Sequence, residues 1–240
     1  VVAHSGNLGR AHDAQAFLAA IEHLERGRVE TDGALTPPPR SGSHHAAPPG
    51  DSGPTVASPI RGVFIGGGAQ FAGLEQAVAD KGLRSVVFKP YQPRERLAES
   101  LSSADVHLVT LRPDLEGLIV PSKVYGCLAA GRPIVFVGAH NGEIGRLVRE
   151  NHCGCVVAPD DTDGLARAIM TLAGAPGLVA EMGHNARRAF DRDFDLGHAQ
   201  RRWRALIHDL QAQPQGAKGP AGAPPLGPTG SAPRVNLGEP

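Results

Sequence analysis

The sequence predicts an α/β fold, a doubly wound parallel sheet of the Rossmann type, and three observations carry that expectation. Short runs rich in Val, Ile and Phe alternate along the chain with stretches of helical period. The runs are apolar at successive positions, as strands are when helices cover both faces of their sheet. Six strand–helix repeats are too few for an eightfold barrel.

The first run, residues 1–5, is Val-Val-Ala-His-Ser, and the helix over 13–26 places Phe17, Leu18, Ile21 and Leu24 on one face. Gly-Val-Phe-Ile at 62–65 is the second strand and precedes a helix over 71–81. Ser-Val-Val-Phe-Lys at 85–89 is the third, before a helix over 94–104. The fourth strand, 106–111, leads through a long loop to a helix over 122–130. The fifth, 133–137, precedes a helix over 143–151, and the sixth, 155–158, a helix over 163–173. Helices over 178–192 and 196–211 close the body.

Glycine and proline mark where that body stops. The chain has 31 Gly and 21 Pro, and 12 of them fall in residues 31–62 and 13 in residues 212–240. Segments of that composition bury too little apolar surface to offset the entropy of ordering them. The expected organisation is one domain over 1–211, a disordered insertion at 31–62 that includes Pro37-Pro38-Pro39, and a disordered tail at 212–240. His44-His45 in the insertion reads as solvated rather than metal-binding. With 24 basic and 24 acidic residues there is no field to attract nucleic acid. Three Cys, at 127, 153 and 155, cannot frame a disulfide scaffold and fit a reducing compartment as buried thiols. No apolar run reaches the roughly 18 residues of a membrane helix, and no basic segment precedes an apolar stretch as in a signal peptide. Without an initiator Met, residues 1–5 read as a strand already in progress, so a longer parent protein is expected.

Ligands of open parallel sheets bind beyond the carboxyl ends of the strands, and three loops there stand out. Ser5-Gly6-Asn7-Leu8-Gly9-Arg10 combines backbone accessibility at Gly6 with a guanidinium suited to phosphate at Arg10, although a tight turn with a solvated Arg has the same sequence. Gly66-Gly67-Gly68 lacks the spacing of a dinucleotide fingerprint or P-loop; Gly67 keeps the cleft floor free of side chains. The third loop runs from Arg112 to Lys123. Pro121 holds Val120 extended, Ser122 is a natural N-cap, and Lys123 stands in the first helical turn, where the helix dipole repels a cation unless an anion joins it. Helix amides and ammonium together would hold a diphosphate. Glu116 either accepts from sugar hydroxyls or is a surface carboxylate, and Glu143, after His140-Asn141-Gly142, either lines the cleft or caps its helix. Arg187, Arg188, Arg192, Arg201, Arg202 and Arg204 give the last two helices a basic side, either a solvated face or a membrane-surface contact.

These motifs together resemble the carboxyl-terminal, nucleotide-sugar-binding half of a GT-B glycosyltransferase, and in particular the family-four retaining enzymes of bacterial polysaccharide synthesis. Ser-Gly-Asn-Leu-Gly-Arg-Ala-His-Asp (5–13), Phe-Ile-Gly-Gly-Gly-Ala (64–69) and above all Val-Pro-Ser-Lys-Val-Tyr-Gly-Cys-Leu-Ala-Ala-Gly-Arg-Pro-Ile-Val (120–135) carry the resemblance. It implies transfer of a hexosyl or N-acetylhexosaminyl unit from a nucleoside diphosphate sugar to a hydroxyl acceptor, lipid-linked or not, with retention. Arg10, Lys123 and Glu116 would be catalytic; Gly6, Asn7, Gly67, Ser122 and Glu143 would bind the donor. No cofactor or metal is implied, because fixed cations take that part. The protein would be cytoplasmic, with peripheral contact at the inner membrane face left open, and a separate amino-terminal acceptor domain would complete the enzyme. Many such enzymes carry a Glu at the position of Gly126, so the ribose contact here either differs or is missing. A non-catalytic nucleotide-sugar-binding module and a nucleotide-sugar epimerase remain alternatives, the latter drawing on Glu116, Glu143 and His140.

Overall fold

Strand β1 (Val2–Asn7) lies inside the sheet, between β2 (Gly62–Gly67) and β4 (Val106–Thr110), and its first residues are buried on both sides. The structure is a computed structural model that describes residues 1–12, 14–26 and 60–212. The expected insertion and tail, with His44-His45, lie outside the described residues except at their edges, where Gly62 opens β2 and Ala212 closes the last helix. With β3 (Val86–Lys89), β5 (Ile134–Val137) and β6 (Gly154–Val157), the six strands form one parallel sheet in the order β3-β2-β1-β4-β5-β6. Every predicted strand is present, with ends displaced by no more than two residues. The helices are α1 (Gln15–Glu25), α2 (Phe71–Lys81), α3 (Leu97–Ser102), α4 (Lys123–Ala129), α5 (Glu143–Glu150), α6 (Thr162–Gly174), α7 (Pro176–Ala189) and α8 (Leu196–Ala212).

Alternation along the strands sends side chains to two cores. Val2, Phe64, Leu108, Val135 and Val137 pack with Phe17, Leu18 and Ile21 of α1 and Leu165 and Ile169 of α6. Val109, Ile134 and Phe136 pack on the other face with Val124 and Leu128 of α4 and Ile144 and Val148 of α5. Burial of a large aliphatic or aromatic side chain stabilises by about 1.5–3 kcal/mol, so the two faces together supply most of the driving force. A ladder of rings ties α1 and the sheet edge: Phe17 meets Phe64 edge-on at 5.5 Å, and Phe64 stacks on Phe88 at 5.4 Å.

Two helices differ from the sequence pattern. The segment expected as one helix over 94–104 begins as a 3₁₀ turn, Arg94–Arg96, directly after the extended Pro93, and only six residues of α3 follow. At the other end α7 starts early because Pro176 suits the first helical turn, and it gives way to a π turn over Phe190–Phe194.

The contact pattern divides the chain after His198. The sheet and α1–α7 make up the first unit. The described part of the second is the remainder of α8, whose Trp203, Leu206, Ile207 and Leu210 are exposed on one side of the helix.

Candidate active site at the strand switch point

Strands β1 and β2 are paired over six residues, but β1 and β4 only at Val2↔Val106 and Ala3↔His107. Beyond those two pairs the strands part, and this is also where the strand order reverses direction. Such a switch point, with helices leaving to opposite faces, is where α/β sheets open a crevice for ligands.

Lys123 reaches into that crevice from the start of α4 and donates from Nζ to Nε2 of His4, 2.8 Å away on β1. Accepting that bond places the ring proton of His4 on Nδ1. His4 is 3 % exposed, and its pKa is driven well below the usual histidine value, first by burial and then by the Lys123 charge. Burial likewise lowers Lys123 to about 8. His12 follows on the β1 loop: its Nδ1 donates to the Thr110 carbonyl at 2.7 Å, its ring lies 5.5 Å from that of His4, and burial and Lys123 lower its pKa as well. His107 of β4 donates from Nε2 to the Leu101 carbonyl and is again held down by burial. Cys127, one turn beyond Lys123, is a neutral thiol pushed up to about 12. Among the described residues Lys123 pairs with no carboxylate.

Glu116 stands across the third loop. Its Oε1 accepts from the backbone N–H of Glu143 at 2.7 Å, so the carboxylate sits on the amino terminus of α5, where the helix dipole favours it. A Cβ at position 142 would meet that carboxylate, so glycine there leaves room for it as placed. Three buried side-chain polar atoms among the described residues lack a hydrogen-bond partner: Glu116 Oε2, Ser5 Oγ and His4 Nδ1. They belong to residues of β1 and of the loop after β4. Buried polar atoms are nearly always bonded, so these three stand out.

The structure brings some of the predicted site residues together and gives others different work. Lys123 and Glu116 lie on one loop-and-helix segment at the carboxyl end of the sheet, and the β1 loop joins it where Arg112 N–H donates to the Ala11 carbonyl at 3.1 Å. Arg10 is on that β1 loop, exposed and unpaired with any described residue. Gly6, Asn7 and Gly67 are strand ends rather than loop: Gly6 pairs with Gly66 and Asn7 with Gly67. A side chain at position 66, whose φ is 136°, would strike the Gly6 carbonyl, so these glycines serve the close approach of β1 to β2. The Asn7 amide lies against Gly68 and the exposed ring of Tyr91 lies over Gly67.

Ser122 occupies the N-cap position of α4 with helical backbone angles, and its hydroxyl makes no capping bond. The seven-residue α4 offers a weak dipole, which leaves the Lys123 charge as the main attraction for an anion. Glu143 takes part through its backbone N–H, while its side chain is exposed. Half of the expected basic side is already engaged: Arg187 pairs with Asp191, Arg192 with Asp193, and Arg188 with the Asn185 amide oxygen. Three Asp-x-Asp triplets are engaged too: Asp161 caps α6 while Asp163 bonds His23, Asp191 and Asp193 hold arginines, and Asp195 accepts from the His198 N–H. Among the described residues no group of three or more His, Cys, Asp or Glu is placed to hold a metal ion. Sequence reasoning passed over His4 and His12. The available signal was a histidine in an otherwise apolar strand, and a second one two residues past Arg10.

The described residues thus form an open α/β sheet with a desolvated cation at its switch point, paired with no described carboxylate. The chain belongs to the glycosyl transferases group 1 family, whose model matches residues 52–174. It is 35 % identical over 134 residues to a probable glycosyltransferase, WbjE, of Pseudomonas aeruginosa, covering 51 % of this chain and 32 % of that protein. It is 28 % identical over 155 residues to WcaI of Escherichia coli, a putative colanic acid biosynthesis glycosyl transferase, covering 64 % of this chain and 36 % of WcaI. The chain thus spans about a third of the length of these curated relatives. Among solved structures it resembles HepE of Anabaena in complex with UDP (TM-score 0.60, 15 % identity, 87 % of this chain and 48 % of that one). It also resembles the C-terminal domain of the group 1 glycosyl transferase LpcC of Francisella tularensis (TM-score 0.57, 14 % identity, 81 % of this chain and 86 % of that one). The fold is therefore that of the carboxyl-terminal domain of a GT-B glycosyltransferase, as the resemblance implied.

Proposed function

We propose that the β1/β4 crevice holds the diphosphate of a nucleoside diphosphate sugar, and that the complete enzyme transfers the sugar with retention to a hydroxyl acceptor during synthesis of a bacterial polysaccharide or glycolipid. One observation carries the reading: an ammonium group withdrawn from water at the switch point, whose sole described hydrogen-bond partner is a neutral histidine. A buried cation without a counterion is costly unless a ligand anion completes it. The leaving diphosphate gains negative charge as the glycosidic bond breaks, and a fixed ammonium there stabilises the transition state more than the ground state. Arg10, paired with no described residue, turns in from the β1 loop to join Lys123 when the donor binds, so that two side-chain cations take the part a metal would. Family membership favours transfer over epimerisation, and the UDP bound to HepE favours a nucleotide donor. Because the chain spans about a third of its relatives, the domain alone acts as the donor-binding module and an amino-terminal domain supplies the acceptor site. No single described helix is long and apolar enough to cross a membrane. On α8, Arg202 and Arg204 flank the apolar side and Arg201 lies opposite it, the form of a helix that rests on an anionic lipid surface. That placement suits a cytoplasmic enzyme with a lipid-linked acceptor.

Titration calorimetry of the 240-residue chain with UDP, UMP and inorganic diphosphate tests the binding step. UDP is expected to bind at least about tenfold more tightly than UMP, the scale of one charge-assisted hydrogen bond. Equal binding of UDP and UMP, or none of either, rejects the crevice as a diphosphate site.

Glu116 has one oxygen fixed by α5 and one without a partner among the described residues, available for a sugar hydroxyl. Glu116→Gln keeps an acceptor for the Glu143 amide and removes the charge. In the complete enzyme it is expected to lower kcat/KM by about 10–100-fold, the cost of a hydrogen bond to a charged group, with UDP affinity unchanged. Steady-state kinetics beside UDP calorimetry reads both; a loss of UDP affinity equal to the loss of kcat/KM would show a nucleotide contact instead.

A further inference from the structure

We propose that His4 is the positioning residue for Lys123, holding its ammonium inside the crevice through a neutral acceptor; this rests on the diphosphate reading above. The argument begins with what position 4 requires. It is an interior position of a buried strand, 3 % exposed, with Phe64 as its strand neighbour and a tilted ring contact to it at 5.8 Å. A core that needed only volume would take Val, Leu or Phe there. Histidine instead leaves Nδ1 buried without a hydrogen bond of good geometry, the Leu108 backbone being the nearest help. The one interaction it makes well is on the opposite ring nitrogen, where Nε2 accepts from Lys123 at 2.8 Å.

That bond spans the crevice. Lys123 arrives from the β4 side on α4, His4 stands on β1, and the two strands are no longer paired at this level. Without an acceptor on the far wall, a lysine at the mouth of a cleft turns its head into water. A carboxylate on that wall would hold it too, but it would cancel the charge and repel a diphosphate. Imidazole fixes the ammonium and leaves its charge uncancelled. The groups facing Lys123 from the surrounding elements keep it so. His4, His12 and His107 all stay neutral because burial and the Lys123 charge oppose their protonation, and the Cys127 thiol stays protonated. The ammonium is thereby oriented, desolvated and unpaired with any anion of the described chain.

Calorimetric UDP affinity of the 240-residue chain, measured from pH 6.5 to 9.5, separates this role from a purely structural one. Wild type, His4→Gln, His4→Leu and Lys123→Ala are compared, with circular dichroism and thermal melts as folding controls. Wild-type affinity is expected to fall as pH rises through about 8, where Lys123 loses its charge. His4→Leu removes the acceptor, so affinity at pH 7 drops by about tenfold or more and the alkaline fall moves to lower pH, while the melting temperature holds or rises. His4→Gln, which presents an amide oxygen at the same reach, restores most of the affinity and the wild-type alkaline fall. Lys123→Ala removes the alkaline fall altogether. If His4→Leu binds as wild type with the same alkaline fall, His4 positions nothing. If Leu and Gln variants are equally weak with an unmoved fall, its role is structural and the inference is overturned. Should Lys123→Ala itself bind UDP as tightly as wild type, the diphosphate reading fails, and this inference with it.

Discussion

Replacing Lys123 with Met is expected to slow sugar transfer by the complete enzyme about 10²–10³-fold, on the scale of one lost oxyanion donor, and at the same time to raise the melting temperature of the chain. The first effect follows from removing the charge that meets the departing diphosphate. The second follows from what that charge costs while the site is empty. Burial lowers Lys123 from 10.5 to about 8, which corresponds to about 3 kcal/mol against the charged form in the folded state. Met keeps the stem and removes that cost, and leaving Nε2 of His4 without its donor returns about 1 kcal/mol. A net gain of about 2 kcal/mol raises Tm by roughly 4–8 °C for a domain of this size. The pH dependence has a definite sign. Between about 8 and 10.5 the unfolded chain binds a proton at this site that the folded one does not, so wild-type stability gains from this site as pH rises through that window. The Met variant lacks that gain. Scanning calorimetry at pH 7 and pH 9.5 with steady-state kinetics reads both halves; a variant that is both inactive and less stable would mean that Lys123 is a structural residue.

The second large effect is a loss of stability in mild acid. His4, His12 and His107 are held neutral by burial, each below the usual value of 6.5, and all three lie at or beside the β1/β4 boundary. Below about pH 6.5 the unfolded chain takes up protons that the folded chain refuses, so stability falls as pH falls. The direction is the same for all three rings, so their effects on stability add as pH falls below 6.5. Denaturant unfolding at pH 7.5, 6.0 and 5.0 is expected to show little change across the first step and a steep one across the second. Constant stability from pH 7.5 to 5.0 would mean that these rings are accessible to protons in the folded state.

What the sequence disclosed and what it hid divide along a physical line. Periodicity is local, so all six strands and α1, α2, α5 and α6 are readable from runs such as Ile134–Val137 and from the face formed by Phe17, Leu18 and Ile21. The Lys123 charge was readable too, because its place after Pro121 and Ser122 is a local pattern. Its partner was not: His4 lies 119 residues away, and only the parting of β1 from β4 brings the two within 2.8 Å. The same applies to Glu116, whose local sequence leaves its role open until the start of α5, 27 residues on, captures one oxygen. On α7 the missing detail is itself local. Arg187 and Asp191 sit one helical turn apart and neutralise each other, a local pairing that a count of arginines overlooks. That β1 and β2 run on to Asn7 and Gly67, with glycines where the two strands pass close together, is a pairing between segments 60 residues apart that neither loop shows on its own.

Titration of Lys123 followed by NMR of the ¹³C-labelled lysine side chain, with and without UDP, tests the account at its centre. In the free chain the resonance is expected to titrate near 8, and saturation with UDP is expected to move that midpoint upward as the diphosphate stabilises the ammonium. A midpoint near the ordinary lysine value that does not change when UDP is added would contradict it.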